Sequence, residues 1–124
     1  MKYLLDTNIV IAAMLAEGEA VRKRLAELDA DDPVTSSIVI AEVLHGSVNG
    51  KPPAIKAVQH FTEEVPVLPF DMAAAQHYAR LQFERRSFDR LIAAHALSCD
   101  LIVVTGNGKD FADVPGLKVE NWTD

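Results

Sequence analysis

Apolar positions along the chain fall into two alternating patterns. Short continuous runs at 3–5, 34–35, 65–68 and 101–104 read as buried strands, with a weaker one at 117–119. Between them lie longer stretches with helical spacing of apolar residues, at 9–16, 19–28, 38–48, 54–63, 72–85 and 88–98. Strands alternating with helices predict an α/β fold, in which βαβ units build a mostly parallel sheet of about four to five strands with helices on its faces. Pro33, Pro52, Pro53, Pro66, Pro69 and Pro115 punctuate the joins. No repeat or linker divides the chain, so its 124 residues are expected to form one domain, 1–124, with a real core.

Polar residues that break this pattern carry the chemistry. Asp6 ends the first apolar run and is followed by Thr7 and Asn8. A carboxylate at the carboxyl end of a strand lies where open α/β sheets bind ligands, and it can only accept, so it wants a cation or strong donors. The plainer reading is that Asp6 or Asn8 caps the next helix. Glu42 stands within Ile38-Val39-Ile40-Ala41-Glu42-Val43-Leu44, a run apolar around the whole helix and therefore expected to be largely buried. A lone glutamate there is costly unless it is paired or binds metal. Asp89 repeats the anomaly in Phe88-Asp89-Arg90-Leu91-Ile92-Ala93-Ala94-His95-Ala96-Leu97, although the first turn of a helix also favours negative charge for its own sake. After the last clear strand, Thr105-Gly106-Asn107-Gly108-Lys109-Asp110-Phe111 offers a hydroxyl, an amide and a carboxylate. Gly106 and Gly108 allow positive φ angles there, and an ordinary polar turn is the alternative.

Asp6 and the Thr105 loop are expected at one edge of the sheet, with Glu42 and Asp89 on helices that begin at that edge. Carboxylates sharing a small site repel and raise one another's pKa, and a hard divalent cation removes that penalty. Mg²⁺ suits such oxygen ligands, with Mn²⁺ as a substitute, whereas zinc and soft metals lack the required Cys/His set. His45, His60, His77 and His95 lack metal-ligand spacing and read as core or surface histidines, with His45, one turn after Glu42, the exception. Cys99 has no evident catalytic partner.

Charge adds little. A formal net charge of −6 argues against a surface built for non-specific nucleic-acid binding, yet Arg80, Arg85, Arg86 and Arg90 surround Asp89 in sequence. No apolar run approaches the length of a membrane span, Asp6 interrupts any signal-peptide layout, and one cysteine cannot form an internal disulfide. A soluble cytoplasmic protein without membrane association is the expectation.

Taken in order, Leu4-Leu5-Asp6-Thr7-Asn8, Ser37-Ile38-Val39-Ile40-Ala41-Glu42-Val43, the Phe88–Asp89 helix and Thr105-Gly106-Asn107-Gly108-Lys109-Asp110-Phe111 resemble the four motifs of PIN-domain ribonucleases. The nearest likeness is to the VapC-type toxins of bacterial toxin–antitoxin pairs, which Val114-Pro115-Gly116-Leu117-Lys118-Val119-Glu120-Asn121-Trp122 also resembles. The resemblance covers almost the whole chain and implies a Mg²⁺-dependent endoribonuclease. Asp6, Glu42 and Asp89 match the family's acidic, metal-binding triad. Asn107 matches its fourth site residue, acidic in many members, and Asp110 is placed to supply the missing charge. Thr7, Thr105, Arg86 and Arg90 are candidates for substrate phosphate contacts. The implied partners are RNA, a VapB-like antitoxin and a second copy of the chain, with 19–28 and 54–63 as candidate antitoxin-docking helices. One departure stands out: family members usually carry a longer segment before the Asp89 motif than Leu81-Gln82-Phe83-Glu84-Arg85-Arg86-Ser87 provides. Two other readings remain open. One is a Mg²⁺-dependent phosphohydrolase, which would usually place a second aspartate where Asn8 stands. The other is a PIN fold that has lost catalysis and acts by binding.

Overall fold

The computed structural model describes residues 1–82 and 87–123. Five parallel strands form one sheet in the order β3-β2-β1-β4-β5: β1 (Tyr3–Leu5), β2 (Pro33–Ser36), β3 (Val67–Leu68), β4 (Ile102–Val104) and β5 (Val119–Glu120). The first strand of the chain is therefore the central one. Leu4 and Leu5 are fully buried, as befits a parallel strand covered on both faces.

Among the described residues, six α-helices connect the strands: α1 (Thr7–Met14), α2 (Glu19–Ala26), α3 (Ser37–Val48), α4 (Ile55–Glu64), α5 (Met72–Arg80) and α6 (Phe88–Ser98). A 3₁₀ turn, Gly108–Phe111, follows β4. The core joins Leu4, Leu5, Ile9, Val10, Val34, Val39, Ile92 and Val103, and is closed by Trp122, which packs edge-on against Tyr3 with ring centroids 5.1 Å apart. Gly18, between α1 and α2, sits where a Cβ would lie 1.6 Å from the Ala12 carbonyl oxygen, so the tight turn excludes any larger residue.

Several sequence expectations need adjusting. The helix expected over 72–85 stops at Arg80, because Leu81 is extended (φ −73°, ψ 138°). The helix expected over 9–16 starts two residues earlier, since Asp6 caps it. Gly106 and Gly108 do not use positive φ angles; Gly50 and Gly116 do, in other turns. The largest difference concerns α3. Its apolar run is not enclosed: only Val39 and Val43 are buried, and Ala41 and Val48 are exposed. The described helices α1, α4 and α6 pack against α3 and leave part of its circumference open. Among the described residues, no helix is long and apolar enough to cross a membrane.

Candidate active site

Asp6 is where two strand ends meet. Its backbone N–H donates to the Val104 carbonyl at 2.9 Å, fixing it between β1 and β4. One carboxylate oxygen accepts from the Thr7 backbone N–H at 2.8 Å, and the other accepts from the Thr105 hydroxyl at 2.8 Å. Asp6 is thus both a helix cap and something more, because its second oxygen turns across the sheet edge. The residue is 5% exposed. Burial raises its pKa above the ordinary carboxylate value, opposed by the Thr105 and Thr7 hydrogen bonds, and the nearby Asp110 charge raises it further.

Thr105 therefore has a different position from the one expected of a substrate contact. It is fully buried, and its hydroxyl is given to Asp6 while accepting the Asn107 backbone N–H at 3.1 Å. The Thr105 hydroxyl is turned inward, to the Asp6 carboxylate. Thr7 is half-buried, and its hydroxyl donates to Glu42 at 3.2 Å, which links α1 to α3.

Glu42 and Asp89 complete the acidic face. The Glu42 carboxyl is raised mainly by burial, then by the charges of Asp6 and Asp89. Asp89, in the first turn of α6, is pushed up to about 6 by burial, then by Asp6 and Asp110, with Arg90 pulling the other way. Each of the three carboxylates feels at least one of the others or Asp110, so they act on one electrostatic site. Asp110 contributes charge, and the exposed Asn107 amide donates to its carboxylate at 2.9 Å. The amide of Asn107 is accordingly turned toward Asp110.

The basic residues lie less openly than expected. The Arg90 guanidinium forms a two-pronged pair with Asp113, both contacts at 2.5 Å, so a phosphate would have to compete with that carboxylate. Arg86 lies outside the described residues. His45 is exposed and borders a cavity of about 420 Å³ together with Ala41, Glu42 and Phe88, placing it beside the acidic face but outside its hydrogen-bond network.

The donor set fits a hard divalent cation: carboxylate oxygens only, each held above its usual pKa by burial and by like charge. Among the described residues, no three Asp, Glu, His or Cys side chains stand close enough to hold one ion between them. Mg²⁺ does not demand that, since it keeps several waters and binds through one or two carboxylates. The hydrogen bond between Ser36 and His95 beneath this site was not legible in the sequence, because histidine spacing alone carries no such signal.

The PIN domain family model matches residues 3–117. The chain is 33% identical to the tRNA(fMet)-specific endonuclease VapC of Shigella flexneri, an alignment covering 99% of each protein. That alignment runs over 132 residues, so the relative carries residues with no counterpart among these 124. Among solved structures, VapBC2 from Rickettsia felis bound to a DNA fragment from its promoter superposes with a TM-score of 0.87 at 28% identity, covering 98% of this chain and 99% of that one. DNA-bound VapBC from Salmonella typhimurium gives 0.83 at 31% identity, covering 98% of each. With its sheet order, the acidic residues at the carboxyl edge and these full-length likenesses all in agreement, the chain belongs to the PIN-domain family, in its VapC-type branch.

Proposed function

We propose that this protein is a divalent-metal-dependent endoribonuclease, the toxin of a type II toxin–antitoxin pair. The observation that carries the reading is the buried Asp6, held through both carboxylate oxygens, whose charge together with burial raises the pKa values of Glu42 and Asp89. Asp6 and Asp89 would hold the cation directly, with Glu42 acting through a water, and Mg²⁺ is the natural ion, with Mn²⁺ a substitute. When bound, the cation would supply Lewis-acid neutralisation of the phosphate and make a bound water more acidic.

The chain's own residues do the rest. Thr105 and the Thr7 backbone fix the Asp6 carboxylate so that no reorientation is needed on binding. Thr7 holds Glu42 in the site. Asn107 holds Asp110, whose charge stands in for the acidic fourth residue common in the family. Arg90, released from Asp113, would meet a substrate phosphate.

The relatives are named as VapBC complexes, and by that likeness the partner here is a VapB-like antitoxin acting in the cytoplasm. A cavity of about 580 Å³ between α1, α2 and α4, bordered by Ala13, Leu25, Phe61 and Val65, would take an apolar antitoxin helix. Phe88, 53% exposed, and the cleft it forms with Tyr78 and Leu91 would pair with a second copy. The test is to treat total RNA with purified protein and Mg²⁺ and to sequence the 5′ ends produced. Discrete new ends that vanish in Asp6→Asn support the reading. A folded parent protein that cuts nothing with any divalent cation would instead favour the non-catalytic binding module.

A further inference from the structure

His95 is a buried ionisable side chain that the proposed chemistry does not use. It is 1% exposed, in the middle of α6, and its Nδ1 lies 2.8 Å from the hydroxyl of Ser36, the fully buried N-cap of α3. The Ser36 oxygen already accepts the Ile38 backbone N–H at 3.1 Å. Its own proton needs an acceptor, and Nδ1 supplies one if the ring carries its hydrogen on Nε2. Burial favours the neutral ring, which keeps that lone pair available.

The contact belongs to a closed circuit. Beside Ser36, the Ser37 hydroxyl accepts the Phe70 backbone N–H at 3.0 Å, and the Phe70 ring meets the His95 ring edge-on at 5.6 Å. The start of α3, the middle of α6 and the segment after β3 are thereby locked together.

The positions of these residues matter. Six residues forward from Ser36 along α3 is Glu42, and six residues back from His95 along α6 is Asp89. At about 1.5 Å per residue, both steps cover roughly 9 Å of axis. Asp89 lies near enough to Glu42 for its charge to act on it, as Ser36 and His95 lie near enough to hydrogen-bond, and α3 packs against α6. The two helices therefore pass antiparallel, with the carboxylate pair as one rung and the Ser36–His95 hydrogen bond as the other.

Building on the nuclease reading, we propose that His95 is a positioning residue: through Ser36 it sets the separation of α3 and α6, and so the spacing of the Glu42 and Asp89 carboxylates. The like charges push the upper rung apart, and the neutral lower rung resists.

Two substitutions separate this role from simple core filling. His95→Asn places an amide oxygen where Nδ1 lies but leaves ring volume empty. His95→Gln fills more volume but carries its polar group past Ser36. Cleavage of a short RNA would be followed at saturating Mg²⁺, with melting temperatures measured on the same samples. If His95 positions the carboxylates, His95→Asn keeps kcat within about threefold, whereas His95→Gln loses about tenfold or more in kcat with little change in KM, since small misplacements of reacting groups are costly. Ser36→Ala should match His95→Gln in kcat, and the double variant should be no worse than either. If stability and kcat instead follow side-chain volume, with His95→Gln at least as active as His95→Asn, the proposal is overturned. A parent protein that cuts no RNA would sink the nuclease reading alone. Crystal structures of parent and His95→Gln then decide, because an unchanged Glu42–Asp89 separation would defeat the positioning role and a widened one would support it.

Discussion

Asp89 is where a capping role and a metal role make opposite forecasts. An ordinary aspartate has a pKa of 3.8, and in the fold Asp89 is pushed up to about 6. Between those values the folded state binds more protons than the unfolded, so through this group stability falls as pH rises, and the whole penalty stands above pH 6. Asp89→Asn removes the charge and keeps the shape, and the N-cap of α6 is Ser87, so no cap is lost. Without divalent metal it should be more stable than the parent at neutral pH by about 1 kcal/mol, a figure reduced for the solvent that reaches this half-buried group. The advantage should fade by about pH 4. Denaturant melts at the two pH values check this, and equal stabilities at both would mean that like-charge repulsion is absent. In the same variant RNA cleavage should drop by roughly 10²-fold or more. A gain in stability joined to a loss of activity is not what a mere helix cap produces. Reading the sequence located Asp6, Glu42 and Asp89 because carboxylates are rare in apolar surroundings. It could not say that Thr105 would face inward, since a threonine after a strand is equally at home in a turn.

At the scale of elements, α6 is the part on which the site depends most. Its bounds, 88–98, were legible because the apolar spacing runs unbroken there. Helix α5 ends at Arg80, short of the expected bound, since Leu81 keeps a helical composition while its backbone is extended; positions 83–85 of that expectation lie outside the described residues. Tertiary packing settles such an end, and composition does not. The exposure of α3 was missed for a related reason: an apolar run shows that a helix seeks cover and does not say which chain provides it. Helix α6 itself buries Ile92, Ala93, Ala94 and Ala96 completely. Alanines in that row let it lie close to its neighbours. Ala93→Leu should therefore overpack the contact, lower stability by about 1–3 kcal/mol and shift Asp89 enough to slow cleavage. Calorimetry and single-turnover kinetics would register both effects. A variant with parent stability would show that α6 has room to spare.

For the whole molecule, a ligand that binds only the folded state stabilises it by mass action, by about 2.7 kcal/mol at a hundred times its dissociation constant. Mg²⁺ or Mn²⁺ should raise the melting temperature of the parent and have much less effect on Asp6→Asn. Equal shifts in the two would place metal binding elsewhere. The sheet order has a further consequence, one of timing. The central strand is the first part of the chain to be made, while its neighbour β4 and the Thr105–Asp6 hydrogen bond arrive about a hundred residues later, the bond spanning a sequence separation of 99. At about 5–20 residues per second, Asp6 waits on the order of ten seconds on the ribosome for the partner that orients it. On the nuclease reading, a growing chain should be harmless to the RNA that surrounds it, with toxicity beginning only after nearly complete synthesis. Ribosome-stalled chains ending before β4 should be protease-sensitive and unable to cut RNA, and cleavage by such a chain would break the link between topology and this built-in delay.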